Sequence, residues 1–152
     1  MLVIRPNHKS KKIKLIDALG DWFKAQSFEE DYTPPKEYEG LSVEIKQLSK
    51  TVYLESMGKA RDTGEGWRAD VEIYESMSML VTHGVAALHG LEDENGAIDM
   101  TQKDGVLCEE DLQIISDNGL LMDLWRIVRH YNELSAEEKK QFGAQAPQTL
   151  QS

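Results

Sequence analysis

Apolar positions recur three and four residues apart over most of the second half of the chain, and that spacing predicts helices. Leu120, Leu121, Leu124, Trp125, Val128 and Tyr131 describe one strongly amphipathic helix. A shorter helix through Leu112 and Ile115 precedes it, interrupted at Asn118-Gly119 and opened by Glu109, Glu110 and Asp111. Acids at that end complement the helix dipole. Upstream, Val71, Tyr74, Met77, Val81, Val85 and Leu88 form a stripe that predicts a helix from about Trp67 to Leu88. Gly90 is placed to end it, because glycine adopts the left-handed cap without steric cost. Ile45, Leu48, Val52 and Met57 predict another helix from Ser42, ended by Asp62-Thr63-Gly64-Glu65-Gly66. Ser135-Ala136-Glu137-Glu138 matches a capping box and predicts a separate final helix over 136–142.

The first 40 residues read differently. Ile13 and Leu15 alternate with Lys12 and Lys14, which suits a strand, and Leu19-Gly20-Asp21 can turn the chain into a second strand through Trp22 to Phe28. Ile13, Ile16, Leu19 and Phe23 also sit at helical spacing, so both states are open, with the hairpin favoured. Thr33-Pro34-Pro35 and Gly40 break regular structure. The expected fold is mainly α (α+β), a helical domain with a small N-terminal β-hairpin or irregular head. Three parts are expected: a basic head and Pro-rich connection over 1–40, a helical body over 41–142, and a frayed tail over 143–152.

A chain of 152 residues, 40% hydrophobic and 29% charged, has the size and composition of one folded domain. No apolar run approaches the roughly 18 to 20 residues that span a bilayer. The opening Met-Leu-Val-Ile-Arg lacks the order of a signal peptide, so a cytoplasmic location is expected. Net charge is -10, yet residues 1–26 sum to +4 and the remainder to -14. A field of that sign repels phosphate and argues against nucleic acid as a partner.

Candidate chemistry is sparse. Gly96 aligns with the invariant glycine of a calcium loop, with Asp93 and Asn95 at liganding positions. Leu91 and Gln102 then stand where an aspartate and a bidentate glutamate are required, so an Asn-Gly turn fits better than a metal site. His8, His83, His89 and His130 are scattered, and the lone Cys108 lies among carboxylates that make its thiol a poorer nucleophile. No nucleophile elbow, phosphate loop or dinucleotide fingerprint is present. No catalytic residue, cofactor or metal is therefore expected. Core packing is the first account of Trp22, Trp67 and Trp125, which lie near apolar neighbours; the alternative is that Trp67, which opens a helix after a glycine-rich loop, and Trp125 with Arg126 and Arg129 grip a partner.

The order of segments in the second half carries a resemblance. Gly84 to Gly90 is followed by Asp93-Glu94-Asn95-Gly96, Thr101, Leu112 to Ile115, Leu120 to Tyr131, and Asn132-Glu133-Leu134-Ser135-Ala136-Glu137-Glu138-Lys139-Lys140. That order, from about Trp67 to Phe142, resembles tail-assembly chaperones and related minor tail proteins of phages and prophages. The resemblance implies a non-enzymatic tail-assembly or structural protein of the host-cell cytoplasm. Its implied partner is a protein, the long helical tape-measure protein or another tail protein, and it leaves oligomerisation open. The alternative is an acidic adaptor or regulatory module that binds a host protein.

Overall fold

The computed structural model describes the backbone of residues 10–61 and 67–145 and the side chains of residues 10–56 and 71–133. In chain order the elements are β1 (Ser10–Lys14), α1 (Leu15–Ala25), a single 3-10 turn (Lys36–Tyr38), β2 (Ser42–Lys46), α2 (Lys50–Arg61), α3 (Trp67–Gly84), β3 (Val85–Asp93), β4 (Gly96–Thr101), α4 (Glu109–Asp117) and α5 (Leu121–Gln145). The four strands form one antiparallel sheet in the order β1-β2-β3-β4. This is an α+β fold, not the mainly helical body with a small N-terminal hairpin that the periodicity suggests.

One register row explains the sheet. Ile13 pairs with Val43, Val43 with Leu88, and Leu88 with Met100, so a single apolar line crosses all four strands. Val43, Leu88 and Met100 are fully buried. They join Leu15 and Leu19 of α1, Leu80 and Val81 of α3, and Leu124 and Val128 of α5 in one core. Fully burying each such side chain contributes about 1.5–3 kcal/mol. The opposite sheet face carries the neighbouring row Lys12, Glu44, Ala87 and Thr101. There His89 Nε2 meets Glu44 Oε2 at 2.6 Å.

The corrections share a cause: a short apolar run satisfies two periodicities, and distant partners decide between them. Ser42–Lys46 alternates at period two through Val43 and Ile45, and it becomes β2 because it can pair on both edges. Its helix starts only at Lys50, where Ser49 Oγ accepts the Val52 N–H at 3.2 Å. The stripe through Val81, Val85 and Leu88 continues the helical count, but α3 stops at Gly84 and Val85–Asp93 extends as β3. Gln102 Nε2 caps that helix end by donating to the Thr82 and His83 carbonyls, both at 2.9 Å.

Near the N-terminus the helical option prevails after β1. Leu15, Ala18 and Leu19 bury one face of α1, and there is no second strand through Trp22 to Phe28. The Leu15 N–H donates to the Leu41 carbonyl at 2.9 Å and fixes α1 to the start of β2. At the other end α5 runs through Ser135 to Gln145 in place of a separate helix over 136–142. Alanine, glutamate and lysine favour helix interiors as much as helix starts, so the capping-box letters do not force a break. The start of the expected tail, 143–145, belongs to α5, while residues 146–152 lie outside the described ones.

Candidate functional site: a tryptophan–arginine cleft between two helices

Among the described residues, α5 packs against both α3 and α1. Trp22 from α1 and Gln26 at its C-terminal cap, with Trp125, Arg126, Arg129, His130 and Glu133 from α5, line a cleft of about 260 Å³. Helical spacing builds the α5 wall: Trp125 and Arg129 are four apart and share a face. The Arg129 guanidinium lies 5.3 Å from the Trp125 ring centroid. Across the cleft, the Arg126 guanidinium lies 4.7 Å from the Trp22 ring centroid. Each cation faces the negative π-surface of an indole, an attraction of about 0.5–2 kcal/mol depending on desolvation.

Carboxylates hold both guanidinium planes. Arg126 Nη1 donates to Asp123 Oδ1 at 3.2 Å, and Arg129 Nε donates to Glu133 Oε1 at 2.9 Å. The second pair is 38% and 51% exposed, so it orients the arginine more than it stabilises the fold. Asp123 uses its other oxygen to accept the Tyr38 hydroxyl from the 3-10 turn. Burial first, and then that bond to a carboxylate, raise the Tyr38 phenol well above its ordinary range. Burial and the Asp123 charge raise Tyr32 as well, against the opposing pull of Arg126. Both phenols thus stay protonated at neutral pH, and Tyr38 acts as a donor that pins Asp123.

One polar atom in the cleft wall is unsatisfied. Trp125 Nε1 is buried with no hydrogen-bond partner among the described residues. An orphaned donor of this kind costs about 1–3 kcal/mol. Beyond Glu133 a second, more apolar notch of about 370 Å³ opens over Gln47, Leu48, Tyr53 and Leu54. Leu54 is exposed there. The two hollows share Glu133 in their linings.

Of the four partner-binding candidates, the fold brings Trp125, Arg126 and Arg129 together. Trp67 opens α3, and its side chain lies outside the described ones. Sequence reasoning missed Trp22, Gln26, His130, Asp123 and Tyr38. The available signal for Trp22 was the helical option for 15–25, which sets it beside Leu19 and Phe23 instead of on a strand. The Asp93–Gly96 segment is a tight hairpin turn between β3 and β4, with Asp93 Oδ1 accepting the Asn95 N–H at 2.7 Å. Among the described residues, no group of three or more His, Cys, Asp or Glu is placed to hold a metal ion. None of the described helices is long and apolar enough to cross a membrane. Compared with protein-family models, curated proteins and solved structures, the chain matches none of them.

Proposed function

We propose that this chain is a non-enzymatic polypeptide-binding protein that serves phage or prophage tail assembly, with the cleft between α1 and α5 as its grip. The observation that carries the reading is the pair of indole–guanidinium stacks, Trp22 with Arg126 and Trp125 with Arg129. Rigid aromatic faces with pre-oriented arginines are the chemistry of interface hot spots. Proton transfer needs a different arrangement, a tuned ionisable group left free to face a reacting atom. Here Asp123 and Glu133 are engaged in orienting arginines. A second, apolar notch over Leu48 and exposed Leu54, which shares Glu133 with the cleft, offers a further contact for a polypeptide.

The tail-assembly part rests on the resemblance in segment order, which in this fold runs through β3, β4, α4 and α5. A tape-measure protein is long and helical and offers repeated apolar faces to such a surface. The test is co-expression with a phage tape-measure protein. The expected result is a soluble complex that co-purifies. A tape-measure protein whose solubility does not change contradicts the reading.

A further inference from the structure

We propose that the groove between α1 and the 26–35 segment is a second docking site, for a basic polypeptide segment that carries apolar side chains. It lies outside the tryptophan–arginine cleft and has opposite charge. Its volume is about 600 Å³. An aromatic cluster forms its apolar wall: the Phe23 ring centroid is 4.8 Å from that of Phe28 and 5.4 Å from that of Tyr32. Phe28 stands 57% exposed, so part of this cluster faces solvent. Around the rings stand Asp17, Asp21, Glu29, Glu30 and Asp31, with Lys24 as the one cation of the lining. None of these five carboxylates is in an ion pair among the described residues.

Charge complementarity selects the occupant. Five carboxylates line this groove against a single lysine, and a cationic segment is drawn to the resulting negative field. Lysine or arginine also gains from aromatic faces, and apolar side chains cover Phe28. Nucleic acid is excluded by the same charges. A second copy of this chain is a poor fit. Its described basic strand carries Lys11, Lys12 and Lys14, but the apolar residue among them, Ile13, is in register with buried Val43. Ile13 is half-buried against the core, so that strand offers the rings little apolar surface.

The test uses the full chain and a fluorescein-labelled amphipathic lysine–leucine peptide, with its glutamate–leucine counterpart as control, read by anisotropy. The lysine peptide binds and the glutamate peptide does not. Affinity falls steeply as the screening length shrinks from about 30 Å at 0.01 M salt to about 3 Å at 1 M. Phe28→Ala weakens binding about tenfold, as does the triple change Glu29→Gln, Glu30→Gln, Asp31→Asn, each about 1.4 kcal/mol. Glu92→Gln with Glu94→Gln and Asp104→Asn removes as much charge elsewhere and leaves binding within a factor of about two. Circular dichroism confirms that each variant is folded.

Equal loss in both triple variants reveals general attraction to an acidic protein and overturns the site. Unchanged binding in Phe28→Ala does the same. Phe28-dependent self-association of the wild type without peptide binding makes a second copy the occupant and overturns the proposal. The readout is peptide binding, separate from capture of the tail partner, so failure of either reading leaves the other standing.

Discussion

The Arg126 guanidinium lies 4.7 Å from the Trp22 ring centroid, tying α5 to α1 across 104 positions of sequence. The same guanidinium is held by Asp123 at 3.2 Å. Lysine cannot reproduce both contacts, because it lacks the planar fork that stacks and bonds at once. Arg126→Lys is therefore expected to cost about 1–2 kcal/mol of stability. A double-mutant cycle with Trp22→Ala, read by urea unfolding, should give a coupling of about 0.5–1 kcal/mol. Strictly additive effects would show that the stack contributes nothing.

Tyr38 and Asp123 join the 3-10 turn to α5 through one hydrogen bond to an ionised acceptor. Tyr38→Phe keeps the ring and removes that donor, with an expected loss of about 1.5–3 kcal/mol. The sign of its pH dependence follows from the raised phenol. A group whose folded pKa lies above the unfolded value stabilises fully below the unfolded value, about 10, and loses that contribution as pH rises through the folded pKa. The gap in melting temperature between wild type and Tyr38→Phe should thus be constant near neutrality and close under strong alkali. A gap that widens with pH contradicts this.

Two glycines differ in what surrounds them. A Cβ on Gly84 would stand 2.3 Å from Val128 Cγ1, a side chain that substitution can shorten. Gly84→Ala should cost about 1–3 kcal/mol, and Val128→Ala should relieve part of that, giving a double variant less destabilised than the sum. A Cβ on Gly90 would stand 2.2 Å from the Gly40 carbonyl oxygen, and Gly90 has a φ of +98°. Neither the backbone contact nor the left-handed conformation can be relieved by trimming a neighbour. Gly90→Ala is expected to be the more damaging of the two by chemical denaturation. Equal losses would contradict the difference in surroundings.

His83 titrates below its ordinary value of 6.5, first because it is partly buried and second because Lys46 is near, with Glu55 opposing. Folding therefore favours the neutral ring. That contribution is intact above the unfolded value and is lost as pH falls through the depressed folded pKa. Lys46→Met should raise the His83 midpoint part of the way towards 6.5, since burial remains. Proton resonance titration of the imidazole checks both points, and a wild-type midpoint at or above 6.5 contradicts them.

Legibility in the sequence followed the range of the interactions. The α4 helix, α5 as far as Tyr131, the break at Asn118-Gly119 and the tight turn at Asp93–Gly96 depend on near neighbours, and the local pattern was enough, whereas the run of α5 on to Gln145 was not read from it. Strands β2 and β3 were hidden because Ile45, Leu48 and Val52, like Val81, Val85 and Leu88, also satisfy helical spacing. Only the pairing of Val43 with Ile13 and Leu88 resolves the ambiguity, and those partners are distant in sequence. The cleft divides in the same way. Trp125, Arg126 and Arg129 were legible on one helix, whereas Trp22 and Tyr38 reach them through tertiary packing.

The most direct measurement of the proposed grip is the dissociation constant for a tape-measure protein, for wild type, Trp125→Ala and Arg129→Ala. Arg129 is part-exposed, so its variant separates binding from folding. A grip through the cleft predicts at least about tenfold weaker binding in each variant, or 1.4 kcal/mol. Affinities within a factor of about two of wild type, in variants that remain folded, would contradict it.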